Sequence, residues 1–193
     1  MTRPELVVVG TSLGGLNALT TLLGTLPARF RVPIVIVQHR TVSPNGGGLA
    51  KLLQDNTPLT VFEAEDKMPL EAGSIYLAPA DYHLMIESPG VLALSTDAPV
   101  RSARPSIDVL FQTASDAYRD ALLGVLLTGA SADGAQGLAS VKAKGGRAIV
   151  EDPATAECRT MPAAALATTA VDYVLTIDKI GDHLVTLVEG TRA

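Results

Sequence analysis

Ser12, His39 and Asp133 each stand just beyond an apolar run. Ser12 follows Leu6–Val9, His39 follows Ile34–Val37 with Gln38 between, and Asp133 follows Leu122–Leu127 across Thr128-Gly129-Ala130-Ser131-Ala132. Serine, histidine and aspartate are the residue types that acyl transfer needs. The hydroxyl attacks a carbonyl, the imidazole takes its proton, and the carboxylate fixes the tautomer and stabilises the imidazolium. Ser12 lies in Val7-Val8-Val9-Gly10-Thr11-Ser12-Leu13-Gly14-Gly15, where Gly10, Ser12 and Gly14 match G-x-S-x-G. That pattern describes a strand running into a sharp turn that exposes a serine at the start of a helix. Unpaired N–H groups and the positive end of the helix dipole would then be at hand for a tetrahedral oxyanion.

Each residue also has a plainer reading. Gly10-x-Ser12-x-x-Gly15 resembles a dinucleotide fingerprint with its middle glycine replaced, although the approach of a pyrophosphate needs that glycine. A phosphate loop and a purely structural turn stay open on these residues alone. His39 could be a structural strand-end histidine. Asp133 before Gly134 could be a helix N-cap. The order Ser, His, Asp along the chain differs from the Ser, Asp, His order of α/β-hydrolases, so a triad here would be convergent.

The elements that must position these residues can be read from hydrophobic patterning. Leu6–Val9 and Ile34–Val37 are continuously apolar, as parallel strands covered on both faces are. Leu16–Leu26 reads as a helix stopped by Pro27, and Leu49–Gln54 as a short helix. Leu59–Ala64 and Ser74–Ala78 read as strands. His83–Glu87 and Val91–Ser95 flank Ser88-Pro89-Gly90 as a β-hairpin. Ser106 is placed to cap a helix from Ile107 to Tyr118. Leu122–Leu127, Ala148–Val150 and Tyr173–Thr176 are further strands, and Ala135–Lys144, Pro162–Thr168 and Asp178–Glu189 further helices. The alternation predicts one α/β domain over residues 1–193: a doubly wound, mostly parallel sheet flanked by helices, with a small antiparallel hairpin insertion. In such a sheet the carboxyl ends of the strands share one edge, where ligands bind. Ser12, His39 and Asp133 are therefore expected on one rim.

The bulk numbers narrow the function classes. The chain has 193 residues, 47% of them hydrophobic and 18% charged, with a net charge of −5. That is enough for a buried core. It shows none of the basic clustering of a nucleic-acid binder. Cys158 is the single cysteine, which leaves no internal disulfide and fits a reducing compartment. No signal peptide and no membrane-spanning run is evident, so a cytoplasmic location without membrane insertion is expected. His83, at the start of the hairpin, and His183, on the last helix, are expected to be structural and solvated, respectively. Arg40, Arg101 and Arg104 either edge the cleft or serve as ordinary surface or capping arginines. No spacing of His and Cys suggests a metal.

Taken together, these motifs resemble a known family. They are Gly10-Thr11-Ser12-Leu13-Gly14-Gly15, Val35-Ile36-Val37-Gln38-His39, Leu77-Ala78-Pro79 with His83-Leu84, and Arg104-Pro105-Ser106-Ile107-Asp108. Leu127-Thr128-Gly129 with Asp133-Gly134-Ala135, and Gly145-Gly146 through Met161-Pro162-Ala163-Ala164, continue the series. In this order they resemble the catalytic domain of bacterial chemotaxis receptor methylesterases of the CheB type, from about residue 6 to residue 188. The resemblance implies a doubly wound α/β fold with a Ser-His-Asp triad on Ser12, His39 and Asp133. It implies hydrolysis of glutamyl methyl esters on the cytoplasmic helices of methyl-accepting chemoreceptors, with methanol released, glutamine deamidation in many members, and no cofactor. Oxyanion contacts are implied near Leu13 and Ala130, with Arg104 as a substrate-lining candidate.

The sequence departs from that pattern at defined places. Leu13 stands where the family has threonine, and Ala130-Ser131 where it has Met-Gly. The stretch after His39 reads Arg40-Thr41-Val42-Ser43-Pro44-Asn45-Gly46-Gly47-Gly48 instead of Met-Pro and an aromatic, which predicts a more flexible loop. The family's amino-terminal receiver domain has no counterpart before the first strand. The expectation is either a free-standing member or one whose regulation comes from a separate partner.

Overall fold

The computed structural model describes residues 2–40 and 48–190. Of the loop expected to be flexible, Arg40–Gly48, residues 41–47 lie outside them. Among the described residues six α-helices, α1 (Gly15–Gly24), α2 (Gly48–Gln54), α3 (Ile107–Tyr118), α4 (Ala135–Ala143), α5 (Thr160–Thr168) and α6 (Ile177–Glu189), surround a seven-stranded sheet. Its strands are β1 (Leu6–Thr11), β2 (Ile34–Gln38), β3 (Thr60–Glu63), β4 (Ser74–Leu77), β7 (Leu122–Leu126), β8 (Arg147–Glu151) and β9 (Tyr173–Leu175). β5 (His83–Ser88) and β6 (Val91–Ser95) pair separately as an antiparallel hairpin.

The large sheet runs β3-β4-β2-β1-β7-β8-β9 and every pairing in it is parallel. The chain lays strands to one side of β1, then returns to set β7 against the other side. β1 is thus the switch point, and a crevice opens beyond the carboxyl ends of such neighbouring strands. The alternation of side chains along β1 explains the two cores. Leu6 and Val8 pack with α3, α4, α5 and the hairpin through Ile107, Phe111, Leu138, Met161 and Leu84. Val7 and Val9 face α1 and α6 through Leu19, Leu22, Leu23, Ile180 and Leu184. Each fully buried leucine of this kind contributes about 1.5–3 kcal/mol over an exposed one.

The patterning located each α-helix and β-strand among the described residues, with ends shifted by a residue or two. The short 3-10 turn Arg119–Ala121 joining α3 to β7 was not foreseen. α3 and α4 cross closely at Gly137, where a Cβ would stand 2.6 Å from Phe111 Cβ and 3.0 Å from Asp108 Cα. That crossing fixes the amino end of α3 beside the loop that follows β7.

Candidate active site

Ser12 sits in the turn between β1 and α1. Its N–H donates to Thr128 O (3.0 Å) and its carbonyl accepts from Gly15 N (2.9 Å). Gly14 makes the turn possible: its φ of 79° is left-handed, and a side chain there would meet Glu157. α1 begins at Gly15, so the serine stands at the helix's amino end as expected. Leu13 is 59% exposed. Its N–H, like that of Ala130, donates to no protein group among the described residues. The loop after β7 passes directly over the serine, since a Cβ on Gly129 would lie 2.9 Å from Ser12 Cβ.

His39 follows the last residue of β2 and is anchored by its own N–H to Thr11 O (3.0 Å). Its Nε2 meets Asp133 Oδ2 at 2.7 Å. Ser12 and His39 line one open cavity of about 510 Å³. No hydrogen bond joins Ser12 Oγ to the imidazole in this structure, in keeping with the long nucleophile–base separations common before substrate binds.

Asp133 is completely buried and densely held. Oδ2 also accepts from Ile107 N (2.7 Å), while Oδ1 accepts from Ser106 Oγ (2.9 Å), Asp108 N (3.0 Å) and Gly134 N (3.1 Å). The N-cap expectation is therefore corrected in its particulars. Gly134 is the residue that caps α4, and the Asp133 carboxylate instead takes the free N–H groups that open α3, a neighbour in space and not in sequence. Burial is the largest influence on Asp133 and opposes ionisation. The hydrogen bond from His39, the Ile107 and Asp108 amides and the imidazole's charge together outweigh it and hold the carboxyl below its ordinary range. Asp108 goes the other way. Burial first, and then the Asp133 charge, push it up against the pull of the Gly137 N–H and Arg101.

Several residues that sequence reasoning passed over complete the frame. Thr128 ties three strand ends together: its N–H donates to Glu151 Oε2 (2.8 Å) and its hydroxyl to Leu13 O (2.9 Å), while its oxygens accept from Ser12 N, Thr11 Oγ1 and Cys158 N. Glu151 is buried, and that burial raises its pKa. Gln38 donates from Nε2 to Ser12 O (2.8 Å) and His39 O (2.9 Å). The available signal for these residues was a polar side chain closing an apolar strand.

Other candidates fall outside the centre. Ala130 is exposed on the loop over Ser12. Arg104 and Arg40 share with His39 a second cavity, of about 570 Å³. Arg104 is engaged by Asp81 (2.6 Å) and the Thr96 and Asp97 carbonyls, and Arg40 by Glu63 and Ala78 O. Arg101 pairs with Asp108 (3.2 Å). His83 is structural as expected: Nδ1 accepts from Ser106 N and Nε2 faces Ala98 O, both at 3.2 Å. His183 is not the solvated residue foreseen. Its Nε2 is buried and its ring packs edge-on to Tyr173, with centroids 4.1 Å apart. Cys158 has its sulfur 3.9 Å from Thr160 Oγ1.

Comparison with known proteins adds a second line of evidence. The model of the family described as CheB methylesterase matches residues 7–184. A Leptospira interrogans protein bearing the name protein-glutamate methylesterase/protein-glutamine glutaminase is 47% identical over 183 residues, covering 95% of this chain and 94% of that protein. A Burkholderia orbicola protein named protein-glutamate methylesterase/protein-glutamine glutaminase 3 is 42% identical over 95% of this chain, which spans only 54% of that longer relative. The crystal structure of the Thermotoga maritima CheB methylesterase catalytic domain superposes with a TM-score of 0.90 at 35% identity, over 97% of this chain and 100% of that one.

Proposed function

The chain belongs to the CheB methylesterase family, and from this premise we propose that it is a serine hydrolase of protein-glutamate methyl esters, with Ser12, His39 and Asp133 as its triad. The observation that carries the reading is the 2.7 Å link from His39 Nε2 to a buried, ionised Asp133, with Ser12 across the same cavity.

The geometry suggests the following course. Asp133 occupies Nε2, which leaves Nδ1 as the basic nitrogen that takes the Ser12 proton. Ser12 Oγ attacks the ester carbonyl carbon, and the negative oxygen that develops is met by the unpaired Leu13 and Ala130 N–H groups. The tetrahedral intermediate collapses, His39 returns its proton to the leaving methoxide, and methanol departs. Water, deprotonated by the same imidazole, then attacks the acyl-enzyme; the bond to Ser12 Oγ breaks, the imidazolium returns its proton to that oxygen, and the glutamate carboxylate is released. A glutamine side chain would follow the same path with ammonia as the leaving group. The substrates are the cytoplasmic helices of methyl-accepting chemoreceptors, and the enzyme works in the cytoplasm. Among the described residues no helix is long and apolar enough to cross a membrane.

Methanol release from a methyl-esterified chemoreceptor fragment tests this. Ser12→Ala is expected to cut the rate by about 10⁴–10⁶-fold. Equal rates for the two proteins would sink the assignment.

A further inference from the structure

The β1–β2 ladder ends where the site begins. Thr11 pairs with Gln38, and the last backbone bond between the two segments is His39 N–H to Thr11 O at 3.0 Å. Beyond it the chains part, one turning into α1 through Ser12 and the other leaving through His39. Across the gap lies the Gln38 amide. Its two hydrogens go to two carbonyls, that of Ser12 at 2.8 Å and that of His39 at 2.9 Å.

The orientation of this amide is fixed by chemistry. Both neighbours are carbonyl oxygens, so the nitrogen must face them. Oε1 is thereby turned into a buried position without a donor, an arrangement that is costly unless something else requires it. It rests against Gly15, where a Cβ would collide with Oε1 and with Thr11 Oγ1. The absence of a side chain at Gly15 therefore makes the slot in which the amide lies.

We propose that Gln38 is a positioning residue, whose single amide clamps the main chain of Ser12 to that of His39 and so sets the distance between nucleophile and base. This rests on the reading that these two residues act together. A displacement of about 1 Å in such a pair costs on the order of 10²-fold in rate, and without the clamp only one ladder bond restrains the two diverging segments.

Gln38→Met keeps the length of the side chain and removes both donors. Hydrolysis of p-nitrophenyl acetate is measured per mole of Ser12 titrated with a fluorophosphonate, which counts only competent sites. Turnover per titrated serine is expected to fall about 10–100-fold, with KM nearly unchanged. Full turnover per titrated serine overturns the proposal, even if the variant melts earlier, because Gln38 would then only stabilise the fold. Should Gln38→Met not fold, Gln38→Glu keeps the shape: its protonated carboxyl has one donor and its ionised form none. Activity that falls with rising pH where wild type does not supports the clamp, and a wild-type profile at full rate overturns it. Ser12→Ala, run alongside, separates the two failures. Activity retained there removes the serine reading. Activity lost there but kept in Gln38→Met removes the positioning role alone.

Discussion

Asp133 carries a charge that burial alone would remove, and donors on all sides keep it. Replacing it with asparagine sets an NH₂ group among N–H donors and takes away the partner that fixes the imidazole's tautomer. Asp133→Asn is expected to lower kcat by about 10⁴-fold, measurable with either ester substrate. The depressed carboxyl also makes a pH signature. An unfolded aspartate titrates near ~3.9, and the folded one lies lower, so the unfolded chain binds more protons between the two values. The stabilisation is complete above about pH 4 and is lost as pH falls through the folded value. Urea unfolding of wild type and Asp133→Asn should differ most near neutrality and converge below about pH 4. The strand-end positions of Ser12, His39 and Asp133, the triad proposed above, were legible in the sequence because each follows an apolar run. Gln38 and Thr128 were not, because their value lies in carbonyls contributed by other strands, which no local pattern displays.

The amino end of α3 is the element on which the site depends. Ile107 and Asp108 offer their N–H groups to Asp133, Ser106 adds its hydroxyl, and His83 of the hairpin holds the Ser106 N–H. α4 keeps α3 in place at Gly137, whose N–H also donates to Asp108 Oδ1 at 2.7 Å. Gly137→Ala would force the two helices apart. A loss of about 1–3 kcal/mol in urea unfolding is expected, together with lower turnover as the donors of Asp133 shift. Unchanged stability would mean that the crossing yields without strain. The sequence located α3 and its cap to the residue, yet it offered Asp133 only to α4. Chain proximity pointed to the wrong helix, because the carboxylate turns back across the sheet edge to a helix that ends before β7 begins.

The whole molecule is organised outward from β1. β1, β2 and β7 are buried almost throughout, whereas β3 and β9 at the sheet's edges are half exposed. Amide hydrogen exchange should follow that gradient, with the central strands protected about tenfold or more beyond the edges. Uniform protection would show that the sheet opens only as a unit. The doubly wound class and the shared rim were legible from alternating apolar runs. The order of strands was not, since nothing local says on which side of β1 the chain will lay its next strand.

That winding has a consequence for the timing of activity. Ser12 and His39 follow β1 and its neighbour β2, and Asp133 arrives only with β7 on the opposite side of β1. A chain part-way through synthesis therefore has a serine and an imidazole but no anion to hold them in readiness. Under the proposed triad, such a nascent chain would lack the group that orients its base, and ester hydrolysis would begin only once the two halves of the sheet have closed on one another.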